Sequence, residues 1–418
     1  MTLLRIALKS ARFRRTSLLL TIFSLAISVT LLLGVDMTRK EAKSSFLNTV
    51  SQTDLIVGAR SGPTNLLLYS VFRIGNATNN VTWETYETIA AMEEIAWTVP
   101  ISLGDSHRGF RVMGTTSDYF EHYRFGDKQP LTFDGGEQFV DVFETVLGAE
   151  VAKTLGYELG DEVVISHGLA SAEFADHDDK PFTVVGVLDR TGTPVDRTVH
   201  VSLDGIEAIH LDWQDGARSA LTIDADQVRK FDLTPTAITA FMVGLESRAT
   251  TFRVQREIND FAAEPMSAIS PGATLADFWR SISAIEQVLF VISAFVLAAG
   301  LLGMLTTILS TLNERRREIA VLRSIGARAT HVVLLILLET LLVVVAGCVA
   351  GVAMLYALFA IARPVVSRRF GVDLGFSWLD PTQLTIMAAV ILAAVLVGLI
   401  PGFVAYRRSI QDGLGVQV

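Results

Sequence analysis

The 418-residue sequence contains a single cysteine, Cys348, and no glycine that is followed directly by lysine. One cysteine cannot close a disulfide within the chain, so any exported part must fold without that cross-link. The lack of a Gly-Lys pair excludes the glycine-rich loop and lysine that bind nucleotide phosphates in most ATPases. We therefore expect this chain not to bind ATP in the usual way, not to be an enzyme, and to hold no cofactor of its own.

Charged residues are also scarce, and their net charge is negative, which does not suit binding to nucleic acid. Charged residues make up 19% of the chain, against roughly 25% in soluble domains. The formal net charge is −9, which argues against the basic surface that a nucleic-acid partner requires. Hydrophobic residues make up 50% of the chain, and they are concentrated in four runs.

The four apolar runs are long enough to cross a membrane, because about 20 apolar helical residues span a hydrocarbon core of roughly 30 Å. The first run follows a basic leader, residues 1–16. Its apolar core is long and no Ala-x-Ala-like site follows it, so we predict an uncleaved anchor rather than a signal peptide. The predicted transmembrane helices are residues 17–35, 284–312, 332–362 and 384–406.

Short charged segments determine the predicted topology. The leader 1–16, the segment 313–331 and the tail 407–418 are all basic and fall on one side of a four-span protein. The positive-inside rule places that side, with both termini, in the cytoplasm. The long segment 36–283 and the short loop 363–383 then lie outside, although three arginines in the loop weaken the contrast.

The long segment 36–283 is predicted to be an α+β domain, because strand and helix patterns alternate irregularly along it. The predicted strands are 161–166, 181–188, 197–203 and 233–245, and the predicted helices are 82–95, 142–156 and 252–261. The apolar segment 65–75 is too short to span a membrane. It is either part of the core or an exposed surface for a lipidic cargo or a dimer contact.

The basic segment 313–331 has the pattern of a short amphipathic helix between two membrane spans. Ile319, Leu322 and Ile325 share one face, and a break follows at Gly326. One interpretation is a helix that docks on a protein partner. The other is a solvated loop that only sets the topology.

One loop of the outer segment concentrates histidine and aspartate. His167, His177, Asp178 and Asp179 lie between two predicted strands, and His200 follows on the next strand. Imidazole and carboxylate groups suit Zn²⁺ or a similar divalent ion, but the spacing matches no established zinc signature. The loop is therefore either a zinc site or a polar surface turn.

Four stretches resemble the FtsX-like permease family, which includes the permease parts of MacB-type and lipoprotein-releasing LolC/LolE-type ABC systems. They are LLRIALKSARFRRTSLLLTIFSLAISV near the start, VLGAEVAKTLGYELGDEVVIS at 146–166, ERRREIAVLRSIGA after the second span, and VGLIPGFVAYRRSIQDGL at 397–414. The resemblance implies four spans per chain, with the outer domain inserted between the first and the second. It also implies the bacterial inner membrane, with that domain in the periplasm.

The same resemblance implies that the segment after the second span is a coupling helix, which docks into a separate ATPase subunit that holds ATP and Mg²⁺. Many MacB-type proteins carry a fused ATPase, whereas here the ATPase is expected to be another polypeptide. The implied coupling residues are Glu314, Arg315, Arg317, Glu318, Arg323 and Gly326.

The implied working unit is a dimer with a second permease copy, identical or not, surrounded by membrane lipids and completed by a periplasmic partner protein. ATP-driven closure would move the outer domains, a mechanism called mechanotransmission, to handle a lipoprotein, lipid or metal-related substrate. One alternative is a relay that activates periplasmic partners such as cell-wall hydrolases. The other is a membrane-anchored scaffold without an ATPase.

Overall fold

A computed structural model describes residues 15–47, 49–168, 175–176, 178–214, 217–218, 223–314, 321, 324–370 and 378–414. The chain divides into two compact units. The membrane unit comprises Met1–Glu41, Ile282–Pro364 and Gly375–Val418, and the sheet unit comprises Ala42–Ser281 and Val365–Leu374.

The helices are α1 Arg15–Leu47, α2 Pro63–Ser70, α3 Trp83–Ala90, α4 Asp118–His122, α5 Ala149–Leu155, α6 Leu203–His210, α7 Ala225–Val228, α8 Thr251–Asn259, α9 Pro271–Glu314, α10 Ala329–Phe370 and α11 Pro381–Leu414. The strands are β1 Leu55–Ala59, β2 Val81–Thr82, β3 Ile95–His107, β4 Phe110–Thr115, β5 Arg124–Phe125, β6 Gln129–Pro130, β7 Phe133–Gly136, β8 Glu144–Leu147, β9 Glu162–Val163, β10 Ser166–His167, β11 Ala175–Asp176, β12 Phe182–Leu188, β13 Thr198–Ser202, β14 Trp213–Gln214, β15 Ala217–Arg218, β16 Ala237–Ile238, β17 Ala240–Leu245 and β18 Met266–Ile269.

Four of the described helices, α1, α9, α10 and α11, are long and apolar enough to cross a membrane. Each contains one of the predicted apolar runs and extends beyond it. Helix α1 continues to Leu47, and α9 already begins at Pro271. Proline is well tolerated in the first turn of a helix, where its missing N–H has no intrahelical acceptor to lose. The apolar run is the part of each helix that suits a lipid environment. The helix itself continues beyond this run into polar sequence.

Helix α1 packs against α9 and α10 through small residues. A Cβ atom added at Gly347 would lie 2.8 Å from Leu25 Cβ, and one added at Gly351 would lie 2.9 Å from Ala26 O. Thr30 Oγ1 donates a hydrogen bond to Gly351 O at 2.9 Å. This Gly-x-x-x-Gly pattern lets the helix backbones approach closely, which is a common way to join helices where no hydrophobic effect drives their association.

The sheet unit is built on one large mixed sheet with the strand order β18-β1-β17-β3-β4-β13-β8-β12-β7. Strands β9, β10 and β11 pair off this path. Two pairs are parallel, β13 with β4 and β12 with β8, and the others along the main path are antiparallel. This architecture, four membrane-type helices with a large inserted α+β domain, confirms the predicted fold class.

Alternate residues of the central strands point into different parts of the core. In β4, Val112 packs in the cluster around Phe182, whereas Met113 packs with Tyr119 on the other face. Both faces of this strand are therefore buried. The segment 65–75 supplies α2 and the turn after it, and its buried members are Leu66, Leu67, Tyr69, Ser70, Val71 and Phe72. The core interpretation of this segment is confirmed, and the exposed-surface interpretation is wrong.

The predicted helix 142–156 is wrong in its first half, because Glu144–Leu147 forms strand β8 and only Ala149–Leu155 is helical. Strand β8 pairs with β12 on one side and β13 on the other, and these tertiary hydrogen bonds outweigh a local helical pattern. The predicted helix 82–95 likewise ends early, at Ala90, since Ile95 already belongs to β3.

Candidate functional site

Two helices run without a break through the division between the units. The division falls after Glu41 in α1 and after Ser281 in α9, yet both helices are continuous there. On the membrane-unit side, Arg39 Nε of α1 pairs with Glu286 Oε2 of α9 at 2.8 Å. Glu286, near the start of the second apolar run, is therefore paired with a cation of the first membrane-type helix.

The same two helices meet again within the sheet unit. Phe46 of α1 packs against Phe278 and Trp279 of α9, with ring centroids 6.3 Å and 5.7 Å apart. Phe46 also packs at 4.5 Å against Phe72, in the turn after α2. Each helix is therefore anchored in the core of the sheet unit, and the pair is joined on both sides of the division.

A second charged cluster joins α1 to the start of α11. Lys40 lies between two carboxylates: its ammonium donates to Asp36 Oδ2 at 2.8 Å and also to Asp380. Gln383 Nε2 donates to Asp36 at 3.3 Å, and the Gln383 backbone N–H donates to Asp380 at 2.8 Å. Charged groups at the ends of membrane helices are expected to pair with one another, because solvation there is incomplete.

Most of the predicted coupling residues lie outside the described residues, namely Arg315, Arg317, Glu318 and Arg323. Glu314 is the last described residue of α9, and only its backbone is described. Gly326 has φ +101°, a conformation that favours glycine, and α10 begins three residues later at Ala329. Val321 and Ile325 are 58% and 78% exposed.

The predicted metal ligands are not brought together by the described part of the structure. His177 lies outside the described residues, and of His167 only the backbone, in β10, is described. Asp179 pairs with Lys180 at 3.2 Å, and Asp178 is exposed. Among the described residues, no group of three potential ligands is positioned to hold a metal ion. The zinc site stays a prediction, which calorimetric titration of the whole chain with Zn²⁺ tests.

His200 lies in the interior of the sheet unit. Its side chain is completely buried between aromatic rings, including those of Tyr119 and Phe120. Burial lowers the pKa of His200 to about 3, because the charged imidazolium is poorly solvated there. Neutral imidazole is the form that binds metals, but this ring faces the core.

Sequence patterns did not predict the contacts of Asp36, Lys40 and Asp380, or the buried pair of Lys180 with Asp212. Asp36 and Lys40 stand four residues apart at the end of the first span, a spacing that indicates a helical ion pair and could have been noticed. The distant partners Asp380 and Asp212 leave no local signal.

Two family models match the chain. Residues 18–261 match the MacB-like periplasmic core domain, and residues 290–410 match the FtsX-like permease C-terminal region. The first match alone covers more than half of the chain, and together the two cover residues 18–410 except 262–289. No curated protein matches the chain.

Two solved structures are similar at low identity. The periplasmic region of MacB from Actinobacillus actinomycetemcomitans is 11% identical, with a TM-score of 0.35, over 56% of this chain and 95% of that one. The extracellular domain of the noncanonic ABC-type transporter YknZ from Gram-positive bacteria is 14% identical, with a TM-score of 0.31, over 52% of this chain and 100% of that one. The family assignment rests on the two family models, and by them this chain belongs to the MacB- and FtsX-like family of ABC transporter permeases.

Proposed function

We propose that this chain couples ATP hydrolysis in a separate ATPase subunit to movement of its own sheet unit on the outer side of the bacterial inner membrane. The ATPase holds ATP and Mg²⁺, and a second permease copy completes the dimer. Both termini lie in the cytoplasm and the sheet unit lies in the periplasm. The substrate is handled there and does not pass between the membrane helices.

The observation that carries this proposal is the continuity of α1 and α9. A continuous helix is stiff along its axis, so a displacement at one end reaches the other rather than being absorbed by a loop. Arg39 with Glu286, and Phe46 with Trp279, hold the two helices together on both sides of the division. A flexible linker at these positions would have argued for a tethered domain instead.

The other end of α9 leads into the coupling segment. The exposed apolar side chains of Val321 and Ile325 offer an apolar surface beside the charged residues of that segment. A mixed surface of this kind suits docking on another protein, and Gly326 allows the chain to turn into α10. This combination supports an ATPase partner over a loop that only sets topology.

The substrate class stays open between a lipidic and a metal-related cargo. The burial of segment 65–75 removes the one apolar surface that pointed to a lipid. A relay that switches a periplasmic partner, such as a cell-wall hydrolase, would use the same helices. ATPase activity of the complex that rises with a cargo supports transport, and activity that rises only with a partner protein supports the relay.

Charge reversal in the coupling segment is expected to abolish binding of the ATPase. The detergent-solubilised chain is purified with the ATPase encoded beside it, as wild type and as the Glu318→Arg and Arg323→Glu variants. We expect the ATPase to co-purify with wild type and to be lost with either variant, because opposite charges at the interface become like charges.

The matched control is Arg280→Glu, near the start of α9 and outside the coupling segment. Arg280 is exposed, and its ion pair with Asp277 lies at the surface, so its reversal should leave co-purification unchanged. If the ATPase binds all four proteins equally, or binds none of them, the coupling role of segment 313–331 is wrong.

A kink in α9 is expected to uncouple the two units while leaving the ATPase bound. Ala284 is exposed, so Ala284→Pro removes no packing, but it breaks a backbone hydrogen bond and bends the helix. A spin label at Phe252→Cys, in a Cys348→Ala background, reports the distance between the sheet units of the two copies. The nucleotide-dependent change in that distance should fall to about half or less, since only one of the two continuous helices is interrupted.

Ala284→Ser is the control, because it keeps the helix hydrogen bond and should retain the full change in distance. An Ala284→Pro protein that moves as far as wild type contradicts transmission through α9. An unchanged distance in wild type, with or without ATP, contradicts mechanotransmission itself.

A further inference from the structure

A row of side chains crosses one face of the large sheet. Met113 of β4, His200 of β13 and Val146 of β8 stand in register on three neighbouring strands. The Tyr119 ring packs beside His200, with ring centroids 5.5 Å apart. This face therefore places an imidazole and a phenol together in the interior of the sheet unit.

Arg73 reaches the same place from the turn after α2. Its backbone has φ +58°, in the left-handed region that residues other than glycine rarely adopt. Its Nη2 contacts Met113 Sδ at 2.6 Å, and within the described structure its Nε and Nη1 are buried without a hydrogen-bond partner. A buried guanidinium with unmatched N–H groups is strongly unfavourable unless another group accepts from it.

Two more polar atoms next to Arg73 are buried. His200 Nε2 has no partner among the described groups, and Tyr119 Oη lies close enough to Arg73 to accept from it, which leaves the tyrosine O–H without a described acceptor. The other imidazole nitrogen, Nδ1, lies 3.2 Å from Val146 O, which suits an Nδ1–H donor and leaves Nε2 with a lone pair. Burial raises the pKa of Tyr119 to about 12 and lowers that of His200 to about 3. Both side chains are therefore neutral at pH 7.

Burial lowers the pKa of Arg73, and no described carboxylate balances its positive charge. The described groups that favour the charged form of Arg73 are Tyr119, which also makes a hydrogen bond with it, and Tyr123. The half-buried Arg111 is a second cation nearby. Burial lowers the pKa of Arg111 and the positive charge of Arg73 lowers it further, as expected for two cations that lie close together. Its Nη2 donates to Gly75 O at 3.0 Å, a neutral acceptor.

We propose that this cluster binds a small monovalent inorganic anion of halide size, for which chloride is the probe. Arg73 Nε–H, Arg73 Nη1–H and the Tyr119 hydroxyl supply the hydrogen bonds. The atoms concerned are all buried, which favours a small ion over a phosphate group or a peptide carboxylate. Water alone would satisfy the hydrogen bonds and leave the charge unbalanced, whereas a water beside the anion can donate to His200 Nε2.

The anion would hold the turn after α2 against the sheet, and the site is independent of the ATPase coupling proposed above. It can be tested by thermal unfolding of the full chain in detergent, with sodium gluconate replaced stepwise by sodium chloride at constant ionic strength. Intrinsic tryptophan fluorescence follows the sheet unit, which contains four of the five tryptophans. At about ten times the dissociation constant, chloride should raise the unfolding temperature by about 3–6 °C.

Arg73→Met should show no chloride dependence, and the exposed Arg60→Met should behave like wild type. Tyr119→Phe should keep the dependence but need about tenfold more chloride, since one hydrogen bond to a charged group is lost. If Arg73→Met does not fold, the proposal is tested by the chloride concentration that gives half of the maximal stabilisation of Tyr119→Phe, which we call the chloride midpoint. A wild-type protein that is insensitive to chloride, or a Tyr119→Phe variant with an unshifted midpoint, overturns the proposal.

Discussion

Replacing Lys180 by methionine is expected to destabilise the sheet unit by about 3–5 kcal/mol, because it leaves a buried carboxylate without its cation. The Lys180 ammonium is completely buried and donates to Asp212 Oδ1 at 2.7 Å and to Asp179 Oδ2 at 3.2 Å. The Asp212 side chain is also completely buried, so water cannot replace the lost partner. Urea unfolding of the solubilised chain, followed by tryptophan fluorescence, measures the change.

Two control variants separate the buried charge from other effects. Lys180→Met combined with Asp212→Leu should recover most of the loss, since no unpaired charge remains. Arg229→Met removes an ion pair to Asp141 of the same 2.7 Å length, but both partners are about half exposed. Its loss should cost less than about 1 kcal/mol. A Lys180→Met variant no less stable than Arg229→Met would contradict the prediction.

Lowering the pH from 7 to 4 is expected to remove about 3 kcal/mol of stability through His200 alone. The folded protein holds the pKa of His200 at about 3, against 6.5 in an exposed histidine, because the ring is buried. Between those two values the unfolded chain binds a proton that the folded chain excludes. Stability from this group is therefore complete above pH 6.5 and falls as the pH falls towards 3.

His200→Asn removes the titrating group and keeps a donor for Val146 O, so its stability should vary less between pH 7 and pH 4. His210 is the comparison of opposite sign. Burial lowers its pKa, but the hydrogen bond and charge of Asp105 outweigh burial and leave the pKa raised. His210 therefore contributes stability at low pH that is lost as the pH rises. If wild type and His200→Asn lost the same stability between pH 7 and pH 4, His200 would not be the group responsible.

The membrane helices could be predicted from sequence because their signal is local. Each run of about 20 apolar residues is sufficient evidence for a span, whatever the rest of the chain does. The ends of those helices could not be predicted from local sequence. Helix α1 continues into polar sequence up to Leu47, where Phe46 packs with Phe72, Phe278 and Trp279. Packing against distant residues, rather than hydropathy, decides where this helix ends.

Strand prediction succeeded where β-branched residues cluster, as in β12 and β13, which lie inside the predicted segments 181–188 and 197–203. It failed at β8, where two flanking strands impose an extended backbone on a sequence with a helical pattern. The coupling residues were predicted from resemblance, and that role stays a prediction for Glu314, Arg315, Arg317, Glu318, Arg323 and Gly326.

The sequence by itself determined the span count and the inserted α+β domain, and its resemblance to known permeases indicated the family. The span count and the domain follow from residue type and spacing over short distances. Only the tertiary structure decided that Lys40 meets Asp380 and that Lys180 meets Asp212. It also decided that the charge of Arg73 acts on His200 with no described carboxylate to balance it. Such contacts join residues far apart in the chain, and the free energy that selects them comes from burial and charge pairing, which no local pattern records.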